Sequence, residues 1–483
     1  MIMLRIISVF AILSLFVQCS RETNFQKDKA LILSEFRDGK FTTATVLIQK
    51  NLNKSNLSQE QKTWLLIRQA MIDRTRLDFS KTEEQVKSQL SKYYPEILDS
   101  LLNYWENSHH LEMKRIDGTK KYFKYAVSNL FRLDSSASLV HRKKIGFSRD
   151  PLDSLCLANT SSIIENGKPG SPAETRIITF EYSITVDADA VPPGEEIFCW
   201  MPLPKESLPR QKNIEILSSV PEKAIRSSKD KIHSSLYAVQ KSVPGTPTKF
   251  SYKASFEISG QWFNPSEILS GKTVPLTAGL KTFTKEELPH IAFTPLVRHL
   301  ADSLAKTEKI PFKLIKSFYY WIDQHIPWAS ALEYSTFECI PDYVITQGHG
   351  DCGMKTFLLM SMARYEGIPA HWQSGWMLHP GQENLHDWCE LWFADTGWVP
   401  VDMSFGLQNS ENLDLKTFYL SGIDSYRMIV NDGINHDFDP PKKFIRSEPF
   451  DFQRGEVEWL QGNLYFNQWD YHLNVISIEK KNR

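Results

Sequence analysis

A glycine-bounded turn, a helix and two short strands follow one another over residues 348–402, and this succession constrains the chain more than any bulk property does. Gly348-His-Gly-Asp-Cys-Gly353 leads directly into Met354–Glu366, where Met354, Leu358, Ser361, Met362 and Tyr365 recur on one helical face. Gly367-Ile-Pro369 stops that helix, glycine ending the last turn and proline barring its continuation. Leu385–Phe393 then reads as a strand and Gly397–Asp402 as the next, joined through Ala394-Asp-Thr-Gly397 as an antiparallel hairpin. A helix feeding such a hairpin belongs to an α+β fold.

The same stretch carries chemistry. Glycines before Cys352 and a helix after it put the thiol at a helix N-terminus, where free N–H groups and the positive dipole end favour thiolate and offer donors to an oxyanion. A thiol nucleophile needs a base, and the base needs an orienting group. His386 opens the first strand and Asp402 ends the second, so the hairpin brings both to one end. His386 lies 34 residues after Cys352, and Asp402 lies 16 after His386.

Taken together, Gly350-Asp-Cys352, Glu366-Gly-Ile-Pro-Ala370, His386-Asp-Trp-Cys-Glu390 and Gly397-Trp-Val-Pro-Val-Asp402 resemble the catalytic core of the transglutaminase-like superfamily, in the family's order. The resemblance covers about 130 of 483 residues. It implies a papain-like core with Cys352 as nucleophile, His386 as base and later acid, and Asp402 as the group holding the imidazole. It also implies that the strand-rich segment before the core is the β-domain that often precedes bacterial cores of this kind. Glu390 and Trp388 read as scaffold of the histidine strand. The oxyanion donor is open between Trp328, Gln347 and other residues.

The whole chain divides into six stretches. Residues 1–19 read as a signal peptide, because the apolar run after Arg5 is about a dozen residues long and a bilayer span needs about 20. Cys19 stands where a bacterial lipoprotein signal places its lipidated cysteine, although Gln18 departs from the usual small residue before it. Residues 27–134 show helical spacing, as in Trp64, Leu65, Arg68, Met71 and Ile72, and 135–173 read as a linker or irregular cover. Residues 174–284 alternate as an antiparallel β-sandwich does, 285–440 hold the catalytic domain, and 441–483 form a β-rich extension that completes a sheet. His109-His110 and the aspartates near Gly433 lack metal-site spacing, and Trp262-Phe263 read as packing.

Five cysteines remain beside Cys19 and no C-x-x-C pair occurs, so at least one thiol is free and neither a zinc ribbon nor a thioredoxin-type motif is supported. Cys339 and Cys389 either pair or stay reduced, and Cys199 reads as a small buried hydrophobe. His349, His371 and His379 read as loop, edge or cleft residues. Lys+Arg 56 against Asp+Glu 57 leaves no basic field for nucleic acid. The reaction expected is acyl transfer through a thioester without a cofactor or metal, on a peptide, protein or cell-wall peptide substrate, by an exported cell-envelope protein held to the membrane by its N-terminal lipid. Water as acceptor makes it a cysteine peptidase or amidase, and a lysine amine makes it a cross-linking transferase. A catalytically inactive surface binding or assembly protein is the third expectation.

Overall fold

Alternation of apolar and polar side chains over Ala173–Val186 and Thr248–Trp262 builds long paired strands. The computed structural model describes residues 24–146, 150–206, 208–270 and 274–481. Residues 1–19, which the sequence reading expects to be a signal peptide, and the lipidation candidate Cys19 lie outside them. The chain divides into two units, residues 1–144 and 145–483.

In the first unit, helices α1 (24–37), α2 (Phe41–Leu52), α3 (Gln59–Asp78), α4 (Glu83–Leu90), α5 (Asp99–Asn107), α6 (Ala126–Leu133) and α7 (Ser135–Ile145) bury Phe41, Ile48, Leu65, Trp105 and Leu130. Capping boxes Ser58/Gln61 and Thr82/Gln85 start α3 and α4. Helical spacing does not account for one piece, the hairpin of β1 (Met113–Ile116) and β2 (Thr119–Tyr122). Its two-residue turn, Asp117-Gly118, takes positive φ at both positions, as the twist of a tight hairpin requires.

The second unit opens with α8 (Pro151–Asn166), where the sequence reading expects a linker. Asp150 accepts from Leu152 N and Pro151 sits in the first turn, a start signal masked by the Ser and Asn content of the helix. Cys156, Asn159, Thr160 and Ile163 form its buried face.

Two five-stranded antiparallel sheets follow. One orders β12 (Gly422–Ile423), β8 (Thr248–Trp262), β3 (Ala173–Val186) and β16 (Trp469–Lys480), with β5 (Gln211–Val220) also on β8. The other orders β15 (Gly462–Leu464), β14 (Glu456–Trp459), β4 (Glu196–Pro202), β7 (Ser235–Lys241) and β6 (Ala224–Arg226). Strands from beyond residue 441 therefore lie in both sheets, pairing with β3 and β4, so the C-terminal extension closes the sandwich from the far end of the chain.

The catalytic-core segment lies between. Its sheet runs β11 (Gly397–Val401), β10 (Asn384–Phe393), β9 (Ala370–Met377) and β13 (Arg427–Asn431), all antiparallel. Trp376 and Met428 of this sheet pack into the same apolar cluster as Phe180, Trp200 and Tyr252 of the sandwich, so the two share one core. Short helices α9 (Pro265–Ser270) and α10 (Ala278–Thr282) precede α11 (Pro295–Ala305), α12 (Pro311–His325), α13 (Ile340–Gln347) and α14 (Cys352–Tyr365). The sequence shows one apolar face on α14, yet every residue from Cys352 to Arg364 is buried. The reason is enclosure, with α11, α12 and α13 packed around the helix and β9 and β10 closing the remaining side. Among the described residues no helix is long and apolar enough to cross a membrane.

Candidate active site

Local sequence sets each side chain of the site. The β10–β11 hairpin turns through Asp395 and Gly397, both at positive φ, and its register pairs Cys389 with Val401. That register draws Asp402, one residue past the strand, alongside the start of β10. His386 Nε2 lies 2.7 Å from Asp402 Oδ2, with both side chains buried. A carboxylate only accepts, so Nε2 carries the proton and Nδ1 is left for another partner.

Asp402 is itself held from all sides. Its Oδ1 accepts from Ser404 N and Phe405 N at 3.1 and 3.2 Å. Its Oδ2 accepts, besides His386, Arg427 Nε at 3.2 Å and Nη2 at 3.0 Å. Burial alone would raise this carboxyl, but the His386 and Arg427 charges outweigh it and hold it at about 2. Burial pushes His386 down, against the pull of Asp402.

Arg427, fully buried on β13, was not singled out from the sequence. Its guanidinium lies 3.9 Å over the Phe405 ring, and Nη1 reaches Asp424 Oδ1 at 3.1 Å. Tyr419 Oη donates to Asp424 Oδ2 at 2.8 Å, and His379 Nε2 lies 3.1 Å from the same oxygen. Cys156 Sγ completes the row 3.7 Å from His379 Nε2. Nothing local marks Arg427 or Asp424 in the sequence, because both reach Asp402 only through the fourth strand.

Cys352 begins α14, with Asp351 as N-cap accepting from Met354 N at 3.0 Å. Together with His386 it lines a cleft of about 730 Å³ whose wall also includes Trp328, Cys156, Leu385 and Phe405. Trp328 is pinned beside Cys352 because Ala329 N donates to Gly350 O and Gly350 N to Pro327 O. Of the two named oxyanion candidates, Trp328 lines the cleft and Gln347, the last residue of α13, does not. The thiol departs from the thiolate expected at a helix N-terminus. Burial first, then the Asp387 and Asp351 carboxyls, push it well above the usual thiol range. Its S–H donates to Asp387 Oδ2 at 3.2 Å.

Other sequence candidates fall elsewhere. Trp388 is buried and donates to Gln373 Oε1 at 2.9 Å, while Glu390 lies 3.7 Å from His371. Cys339 and Cys389 are separate thiols, as are Cys156 and Cys199. His349 is buried with its ring against Tyr343, and His110 Nδ1 lies 3.2 Å from Asp134 in the first unit.

Two groups among the described residues approach metal-ligand geometry: Cys156, His379 and Asp424, and His371, Glu390 and Asp432. In the first, Arg427 Nη1 stands 3.5 Å from both His379 nitrogens and already supplies the cation. That group also differs from a relay, since one nitrogen, Nε2, faces both the thiol and the carboxylate. Burial raises the Cys156 thiol to about 12.

Cys352 and His386 thus line one cleft, and Asp402 holds the histidine from behind. Residues 298–403, from α11 to just past Asp402, match the model of the transglutaminase-like superfamily, and the chain carries a domain of that superfamily. No curated protein matches the chain. Among solved structures, a protein from Cytophaga hutchinsonii provisionally described as a cysteine protease is 13% identical with a TM-score of 0.43, over 63% of this chain and 92% of that one. The periplasmic domain of TgpA from Pseudomonas aeruginosa is 16% identical with a TM-score of 0.26, over 54% and 94%.

Proposed function

We propose that this protein is a thiol acyl-transfer enzyme that hydrolyses peptide or amide bonds, with Cys352 as nucleophile, His386 as base and Asp402 as the orienting carboxylate. The observation that supports it most is the 2.7 Å His386–Asp402 contact on the wall of the cleft that Cys352 also lines. In this reading the Cys352 proton passes to His386 Nδ1 as sulfur attacks the carbonyl carbon. The imidazolium then protonates the departing amine as the C–N bond breaks, leaving a thioester. Water attacks the thioester, giving its proton to His386, and the C–S bond breaks to release a carboxylic acid and restore the thiol. Ionised Asp402 stabilises the imidazolium formed at each half-reaction.

The same reading makes the protein exported and anchored through Cys19. The test is hydrolysis of a peptide library, including cell-wall peptides, by wild type and Cys352→Ala, with a lysine amine supplied as competing acceptor. Cleavage that vanishes in the variant and ignores the amine supports a hydrolase; amide products formed with the amine make it a transferase. Cleavage that persists in Cys352→Ala sinks the proposal. Labelled fatty acid retained by Cys19→Ala would refute the anchor.

A further inference from the structure

His386 and Asp387 are neighbours on β10, so their side chains leave opposite faces of the strand. Cys352 meets both, sharing the cleft wall with His386 and hydrogen-bonding to Asp387. The carboxyl it meets is a built feature. Asp387 Oδ1 accepts from Gln453 Nε2 at 2.8 Å, and Oδ2 accepts from the thiol, with Tyr334 Oη 3.3 Å away. Tyr334 Oη also donates to Asp351 Oδ1 at 2.7 Å. A β-carbon at Gly353 would collide with Tyr334 Oη and stand 2.6 Å from Asp387 Oδ2. The residue after the nucleophile is glycine, then, because phenol and carboxyl press against that turn.

The charged and titratable groups around the pair come from every packed element: Asp351 and Lys355 from α14, Tyr334 from its 3₁₀ turn, His386 from β10, Asp402 after β11, and Asp451 before β14. Burial, then Asp451 and Asp351, push Asp387 up, and the same surroundings disfavour a thiolate beside it.

We propose that Asp387 is a positioning residue that clasps the Cys352 thiol in the free enzyme, so that sulfur reaches the His386 imidazole only when an acyl substrate in the cleft draws it off the carboxyl. This rests on the reading of Cys352 and His386 given above. It explains why a helix N-terminus here holds a neutral thiol. The consequence is a resting enzyme that resists alkylation and oxidation while remaining competent toward substrate.

The test is the pH dependence of Cys352 alkylation by iodoacetamide, read by peptide mapping, in wild type, Asp387→Asn, His386→Ala and the double variant. The clasp predicts that Asp387→Asn labels about tenfold faster near neutral pH, its half-rise shifted down by about one unit; where His386 is the thiol's base, His386→Ala cancels the gain. Gain that survives His386→Ala upholds the clasp and refutes His386 as the thiol's base. An Asp387→Asn profile that overlies wild type overturns the clasp, whatever His386→Ala does. If Asp387→Asn does not fold, the S–H infrared band of wild type minus Cys352→Ser decides: a hydrogen-bonded band at neutral pH supports the clasp, and no band refutes it.

Discussion

Asp402→Asn should behave differently here from the same change in a triad whose aspartate touches little besides histidine. The introduced amide has one oxygen and one NH₂ to distribute between two sets of donors. Placing NH₂ at Oδ2 would turn it against His386 Nε2 and two Arg427 donors, whereas placing it at Oδ1 opposes the Ser404 and Phe405 amides. The second arrangement is cheaper, forfeiting two backbone hydrogen bonds at about 1 kcal/mol each and keeping an oxygen on His386. The imidazole therefore retains its Nε2–H tautomer but loses the anion that stabilises its charged form. Acylation of Cys352 by an activated aryl ester, followed in single turnover, should fall about a hundredfold, or about 3 kcal/mol. Asp402→Ala, which frees the ring as well, should lose about ten-thousandfold. Because Arg427 keeps only Asp424, urea unfolding should show a loss of about 3–5 kcal/mol. Ring-nitrogen NMR reads the tautomer directly. A Nδ1–H tautomer in Asp402→Asn, with losses equal to those of Asp402→Ala, would refute the donor argument.

Asp402 also writes a pH signature. Its folded value is depressed to about 2, so its contribution to stability is complete above the ordinary carboxylate value near 4 and disappears as pH falls toward 2; over that window wild type should lose roughly 2 kcal/mol more than Asp402→Asn, in which Asp424 still titrates. Gly353→Ala should cost about 1–3 kcal/mol of stability by overpacking against Tyr334 and Asp387, measured by urea denaturation. Cys156→Ser should leave ester acylation within about twofold of wild type, since its burial-raised thiol lies outside the proposed chemistry, and a larger loss in the same assay would make it part of the site. Ending the chain before Trp469 strips β16 from β3 and uncovers buried Trp469 and Leu473 contacts, so soluble yield should collapse even though the candidate residues are intact.

The helix, the hairpin and the three candidate residues were legible because each rests on local signals. Glycines flank Cys352, Gly367 and Pro369 close its helix, and the turn at Ala394–Gly397 sets the register that brings His386 to Asp402. What stayed hidden depends on long-range pairing. Arg427 enters through β13, which joins the sheet beyond β9, and no spacing within its own segment announces that. α8 was obscured because its inward face carries Cys156, Asn159 and Thr160, residues that propensity assigns to loops and that are tolerated only where partners await them. Thr160 Oγ1, for instance, donates to Cys156 O within the helix, and Asn159 Oδ1 accepts from Ser425 N.

Among the described residues of this unit, two buried groups bring Cys, His and Asp near one another, and comparing them shows how they differ. His386 spends one nitrogen on Asp402 and keeps the other for the cleft; His379 meets Asp424 and Cys156 through a single nitrogen while Arg427 covers the ring. The first arrangement leaves a ring nitrogen for the proton that the proposed mechanism passes to it, with the carboxylate opposite. The second has no free nitrogen on the far side and already holds its compensating cation. Arg427 joins the two, neutralising Asp424 on one side and fixing Asp402 on the other. The buried row from Cys156 to His386 therefore acts as a strut whose last member is the candidate base. Weakening the strut at Asp424→Asn should loosen Asp402 without touching Cys352. The expected result is slower ester acylation with unchanged iodoacetamide labelling of Cys352. Equal losses in both would mean that the whole fold, rather than the base, had given way.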